Sequence, residues 1–345
     1  MTTLAQHSQQ GWKDRLNGIF FVALMAFAVT QIATLPSIKS LGLSPLVIGI
    51  VCGMFYGNFL RGSMPAEWSA GVQFTAKKLL RVAVAIFGIN ISLQQIIEVG
   101  APGIVVSVGV AVGILALGTW LGTRWLGLDR DTSMLTAAGS AICGAAAVLA
   151  FESTLRSAPH KSAVAVATVV LFGTVSMFLY PLLYQVGMLP WEGQALGIFL
   201  GGSIHEVAQV VASASSIDPA TTEVATIVKM TRVALLVPLL LVIGLWLQRS
   251  AGVQADGQRA KLPVPWFAIG FLAFALINSA DIMPADFHAT LKAIDVFLLT
   301  MAMTALGIET RFSQLKQAGP KVLLLAAVLF ATLFVLTGAL VSIVT

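Results

Sequence analysis

Long apolar runs alternate with short polar breaks along this chain, and the runs have the length of membrane spans. A helix needs about 20 apolar residues to cross a bilayer. Eleven stretches come near that length: 17–36, 44–60, 74–95, 102–125, 132–154, 162–186, 194–214, 222–247, 265–283, 290–310 and 320–344. Between them stand Pro36, Arg61 to Glu67, Gly100 to Gly103, Asp129 to Asp131, Pro159 to Lys161, Pro190 to Gly193, and Asp218 with Pro219. The polar segment 249–264 is the longest loop and the best linker candidate. The pattern predicts an all-α polytopic membrane protein with about eleven transmembrane helices.

Composition agrees. Of 345 residues, 57% are hydrophobic and 10% charged, against about 25% charged in a soluble domain. The net charge of +5 would suit nucleic acid, but the basic residues lie between apolar runs, where they act as topology signals. No nucleic-acid partner is expected; the lipid bilayer is. Cys52 and Cys143 both sit in apolar stretches, so no disulfide framework is implied. Residues 1–16 read as a polar cytoplasmic tail. The next run is long for a signal peptide and lacks a small-residue cleavage site, so 17–43 reads as a retained extra first helix. With the N-terminus in the cytoplasm, fourteen Lys and Arg fall in cytoplasmic segments. Only Lys39, Arg156, Lys161 and Lys292 fall outside. That asymmetry favours a cytoplasmic N-terminus and an external C-terminus.

Internal similarity adds a second layer. Lys78, Arg81, Val82 and Ala83 in span three recur as Lys229, Arg232, Val233 and Ala234 in span eight, which runs the other way. Gly49, Ile50 and Gly53 pair loosely with Gly197, Ile198 and Gly201. This register predicts a five-plus-five inverted repeat, 44–190 and 191–345, a transporter signature. A competing echo pairs Gly88, Ile89, Gln95 and Gly100 with Gly307, Ile308, Gln314 and Gly319 in a different register.

Candidate chemistry concentrates in three spans. Span seven carries Gly201, Gly202, Ser203, His205, Glu206 and Gln209. Ionisable groups at membrane depth cost several kcal/mol and mark substrate or ion pathways. His205 and Gln209 share a helix face with Glu206 beside them. The string imitates the zinc-protease pattern, but glutamine replaces the second histidine, so no metal, catalytic group or cofactor is expected. Span five contains Gly139, Ser140, Cys143 and Gly144 among alanines. Small residues permit close helix packing; they also permit a discontinuous helix whose N–H groups face an anion. In the repeat register its partner is span ten, with Thr300, Thr304 and a helix opening at Gly307. Lys229 and Arg232 share a face. Arg232 stands about ten residues into its span, roughly 15 Å deep, too deep to snorkel out easily. It reads as an anion-attracting group or a partner for Glu206 or Glu223. Asn278 is a further polar residue in span nine.

The motifs resemble a known family. Residues 139–150, 205–212, Lys229 to Val233, Pro265 to Ile269 and Ala302 to Gly307 look like the YeiH/TauZ-type sulfate exporter family over nearly the whole chain. The resemblance implies a bacterial inner-membrane protein moving sulfate or sulfite. It also implies a build similar to the bile-acid-symporter and sodium/proton-antiporter group, in which two crossed discontinuous helices occupy a core domain beside a panel domain. Spans five and ten would then cross. Ala141 stands where a close relative has a second Ser, which removes one hydroxyl donor.

The expected function is therefore secondary transport of a small inorganic oxyanion. Ser140, Cys143, backbone N–H groups of Gly139 and Gly144, and Thr304 would bind it, with His205, Glu206, Gln209 and Arg232 lining the site. His205, Glu206, Lys229 and Asn278 are the coupling candidates, for a proton or for sodium. A sodium-coupled carrier of an organic anion and a passive channel stay open. An enzyme is not expected, and a homodimer is compatible with this reading.

Overall fold

The structure is a computed structural model that describes residues 2–35, 44–60, 64–250, 266–281, 283–311 and 319–345. Most of the predicted linker, with Arg259 and Lys261, lies outside these residues, as do Pro36, Lys39, Arg61, Pro265, Gln314 and Lys316. The regular structure of the described residues is helical. Six helices are long and apolar enough to cross a membrane: Asp14–Ala33, Leu93–Arg124, His160–Gln185, Pro219–Leu245, Asp286–Glu309 and Pro320–Val344. Pro45–Leu60 and Ile269–Ser279 are shorter apolar helices. The other predicted stretches are interrupted.

Contacts divide the chain into two compact units. The first comprises Met1–Leu93 with Ile269–Phe312, and the second Gln94–Ala268 with Ser313–Thr345.

The first unit holds α1 (Thr2–Ala33), α2 (Pro45–Phe55), α3 (Ser69–Phe74), α4 (Leu80–Ile86), most of α13 (Trp266–Ser279), and α14 (Ala285–Glu309). A π-helical turn, Thr75–Leu79, joins α3 to α4. Small residues set the packing. A methyl group added at Gly53 of α2 would lie 3.0 Å from the Gly307 Cα of α14. One added at Gly71 would lie 2.7 Å from the Gly18 Cα of α1. Val22, Ala26, Val72, Ala76, Met301, Ala305 and Ile308 fill the core between these helices.

The second unit holds α5 (Leu93–Arg124), α6 (Arg130–Ala141), α7 (Ala145–Leu155), α8 (Pro159–Gln185), α9 (Gly193–Ser203), α10 (Val207–Ala214), α11 (Pro219–Ala234), α12 (Leu236–Ser250) and α15 (Pro320–Val344). Two of its helix starts are capped by aspartates. Asp129 accepts from the Thr132 amide at 3.2 Å and Asp218 from the Thr221 amide at 2.8 Å, which satisfies N–H groups the first turn leaves free. An aromatic cluster of Tyr180, Phe199, Phe330 and Phe334 ties α8, α9 and α15 together.

The predicted break in span five is present between α6 and α7. The predicted break in span ten is not: α14 runs unbroken through Gly307 to Glu309. Gly307 serves close packing instead, since a methyl there would lie 2.8 Å from the Met54 amide nitrogen. The second broken helix is span seven, divided into α9 and α10.

Candidate functional site

The two breaks arise by different local chemistry. In span five, Ile142 leaves the helical region (φ −120°, ψ −88°) and Gly144 takes φ +73°, ψ −134° before α7 begins. A side chain disfavours that left-handed region, and glycine adopts it without penalty. In span seven, Ile204 and Glu206 are extended (ψ 146° and 151°), and α10 restarts with a capping box. The Glu206 carboxylate accepts from the Gln209 amide while the Gln209 side-chain oxygen accepts from the Glu206 amide at 3.2 Å. The reciprocal bond satisfies two donors that a helix start otherwise leaves unpaired.

Breaking two helices inside an apolar layer exposes backbone groups that lipid cannot satisfy, and each would cost several kcal/mol. The carbonyl ends of α6 and α9 are satisfied by two cations from α11. Arg232 donates through Nη2 to Ala141 O at 2.7 Å and Ser140 O at 3.0 Å, and through Nε to Ala141 O at 3.3 Å. Its Nη1 reaches Gly202 O at 2.7 Å, Gly201 O at 3.3 Å and Ile204 O at 3.4 Å. Lys229 Nζ donates to Ile142 O and Ile204 O, both at 2.8 Å. Both side chains are fully buried. Cations belong at helix C-termini, where the dipole is negative, and here each bridges two such ends.

The amide ends are satisfied by one anion. Besides capping α10, Glu206 Oε1 accepts from the Ala145 amide, the first residue of α7, at 3.1 Å. One carboxylate therefore serves two helix N-termini. Gly144 makes room for it, because a methyl there would lie 2.7 Å from Glu206 Oε1. On α8, Gly173 does the same for Gln209: a methyl there would lie 2.7 Å from the Gln209 Cδ. The Gln209 amide nitrogen faces Thr174 Oγ1 at 3.4 Å and Val170 O at 3.5 Å. His205, between α9 and α10, is 1% exposed, and its Nδ1 has no hydrogen-bond partner among the described residues.

Gly139, Ser140, Cys143, Gly144, His205, Glu206, Gln209, Lys229 and Arg232 thus gather at one crossing in the second unit. Several make contacts that the sequence did not foresee. Ser140 contributes its carbonyl to Arg232. Gly139 provides space, with the Val169 and Val148 methyls 2.5 and 2.8 Å from where its Cβ would be. Arg232 and Lys229 bind carbonyl oxygens rather than Glu206. Thr304 and Asn278 belong to the first unit. Thr304 Oγ1 donates to the Thr300 carbonyl at 2.8 Å, and Asn278 Nδ2 to the Ile91 carbonyl at 3.0 Å.

A further carboxylate, Asp295, stands on α14. It is fully buried in the first unit, accepts weakly from Asn90 Nδ2 at 3.4 Å, and its Oδ1 has no partner among the described residues. A lone carboxylate inside an apolar run was the available signal.

Comparison with known proteins fits this architecture. The chain is 70% identical over 323 residues to a UPF0324 membrane protein of Bordetella pertussis, covering 93% of each chain. It is 60% identical over 319 residues to one of Pseudomonas putida, covering 92% of this chain and 90% of the relative. It is 41% identical over 307 residues to the UPF0324 inner membrane protein YeiH of Escherichia coli, covering 89% of this chain and 88% of the relative. No solved structure matches the chain. The family described as Conserved hypothetical protein 698 matches residues 17–326. The chain is a polytopic helical membrane protein and belongs to that family, with the UPF0324 membrane proteins and YeiH among its relatives.

Proposed function

We propose that this protein is a secondary transporter of a small inorganic oxyanion, sulfite or sulfate, working as a proton-linked exporter in a bacterial inner membrane with its N-terminus in the cytoplasm. The observation that carries the proposal is the Glu206 carboxylate on the N-termini of α7 and α10. A carboxylate is the protein's own oxyanion. Its position marks a place where two sets of backbone N–H groups converge on negative charge inside a membrane protein. Two further features support the reading. Helices broken near mid-span build the sites of secondary transporters. At the crossing, two basic side chains, Lys229 and Arg232, stand beside one acidic side chain, Glu206.

On this reading the protein is a carrier and not an enzyme, with fewer than eleven full crossings, because the Lys161–Asp129 contact at 2.6 Å holds the two ends of span five together. The five-plus-five register over 44–190 and 191–345 does not account for the breaks, because it pairs the broken span five with the unbroken span ten. The test is uptake of radiolabelled sulfite and sulfate into proteoliposomes, with and without an imposed pH gradient. Saturable uptake of one anion, raised by the gradient and by trans anion, is expected. Uptake that never saturates would point to a channel, and no uptake of either anion would sink the proposal.

A further inference from the structure

We propose, building on the oxyanion-carrier reading, that Glu206 is a built-in competitor for the cargo. Ionised Glu206 and the transported anion hold the same two half-helix N-termini in turn, so one proton is taken up by Glu206 for each anion bound.

The natural place for an anion would be the cation pair, but that pair is engaged. The Arg232 guanidinium is directed at Ser140, Ala141, Gly201, Gly202 and Ile204 oxygens, and Lys229 at those of Ile142 and Ile204. Releasing either cation would strand carbonyls of both breaks in an apolar layer, each at a cost of several kcal/mol. The cations are therefore a fixed positive background. The donors left for cargo are the amides that open α7 and α10, and Glu206 already holds the Ala145 and Gln209 members of that set. An anion bound there beside an ionised carboxylate would meet strong like-charge repulsion at low dielectric. A protonated Glu206 is neutral, can leave the amides, and removes the repulsion. The proton adds to a carboxylate oxygen and no other bond changes.

The titratable and charged groups facing Glu206 are few. They are Lys229 from α11 and Cys143 from the span-five break, with His205 next to Glu206 in the chain; the α8 neighbours of Gln209 at Val170, Gly173 and Thr174 are neutral. His205 adds an independent sign of a missing ligand. Its buried Nδ1 has no partner among the described residues, and buried polar atoms are satisfied in the great majority of cases. It lies in the same break as Glu206, one residue before it in the chain.

The experiment is equilibrium binding of radiolabelled sulfate to the purified full-length protein between about pH 5 and 8, a range that brackets neutral titration. Sulfate keeps one charge state across it, so any pH dependence belongs to the protein. Wild-type affinity should rise by up to about tenfold per unit of falling pH, the slope of one linked proton. E206Q should bind sulfate at the upper pH as wild type does at the lower, with a flat profile. In proteoliposomes E206Q should exchange labelled for unlabelled sulfate yet no longer accumulate it under a pH gradient. Proton uptake by unmutated protein on adding sulfate, read with a pH dye, should be one per sulfate at the upper pH and needs no variant. A flat wild-type profile overturns the competition, as does an E206Q profile as steep as wild type. So does a well-folded E206Q that has lost sulfate binding, because the carboxylate would then be a required ligand. If wild type binds neither sulfate nor sulfite at any pH, the carrier reading itself fails and the competition with it.

Discussion

The two units use the same small residues for opposite ends. In the first, Gly49, Gly53 and Gly57 of one segment lie against Thr300 to Ile308 of α14, and every helix in that contact stays continuous. The backbone there satisfies itself, and polar side chains such as Thr300 and Thr304 bond their own preceding turn. In the second, Gly144 follows the end of one helix and caps the start of the next, and the freed backbone groups are met by Lys229, Arg232 and Glu206. Glycine by composition says little. Its effect depends on whether the neighbour offers a packing surface or a charge. The difference teaches that in the first unit small residues let continuous helices pack closely, whereas in the second they open a break whose backbone is met by polar groups.

The sharpest way to break the contrast is to remove Arg232. R232M fills much of the volume but leaves carbonyls at two helix ends unpaired. A destabilisation of about 3–5 kcal/mol is expected, as for breaking a buried charged contact, seen as loss of monodisperse protein after extraction in mild detergent. R232K should recover only part of it, because an ammonium cannot reproduce the planar fork. Melting of R232K close to wild type would show that charge alone suffices.

G144A tests the second break directly. The alanine must hold φ near +73° and its methyl would crowd Glu206 Oε1. A cost of about 1–3 kcal/mol is expected, read as a lower melting temperature. A variant that melts like wild type would mean the strand between α6 and α7 has other conformations within reach. In the first unit, G53V should cost a similar or smaller amount, about 1–3 kcal/mol, by overpacking the contact between α2 and α14. The contrast predicts that this loss is relieved by pairing G53V with a smaller neighbour, whereas no second substitution on α14 relieves G144A.

T304V is the next smaller step. The hydroxyl bonds only its own helix and the valine is nearly isosteric, so a change below about 1 kcal/mol is expected. A larger loss in thermal melting would give Thr304 a role beyond its own turn.

The smallest effect concerns the polar cap outside the spans. Burial works to raise the Asp129 carboxyl, but hydrogen bonds from Lys161 and Thr132, together with the Lys161 charge, outweigh it and hold it down at about 2. The Lys161 contact is 2.6 Å and half the Asp129 side chain is exposed. A carboxylate with a lowered folded pKa contributes stability that is present above its ordinary value of 3.8 and lost as pH falls toward about 2. Melting of wild type should drop across that window a little more than melting of D129N. Equal slopes would show that the exposed pair contributes nothing measurable.

The breaks separate what was legible from what was not. The small-residue run at 137–147 announced an interruption because Gly144 with Ser140 and Cys143 is a poor helix interior, and the interruption is there. The same argument applied to Gly307 gave the wrong answer, since α2 supplies a surface that turns that glycine into a packing notch. At the polar string 201–209 the glycines signalled a late start or break of the helix, and the helix is divided there. The cap formed by Glu206 and Gln209 was not legible, because it exists only once Ile204 and Glu206 are extended.

The sequence by itself determined the solvent of this protein, its helical class and the polar residues of its centre. Each of these follows from local cost: apolar runs of span length must be helical in lipid, and a buried charge is kept only where it has a use. Tertiary structure alone decided the partners. Lys229 and Arg232 read as anion-seeking groups in the sequence because nothing along the chain shows that carbonyls from residues 140–142 and 201–204 converge on them. Charges take whichever opposite dipole lies nearest in space, and two helices broken at different points of the chain bring those dipoles to one place.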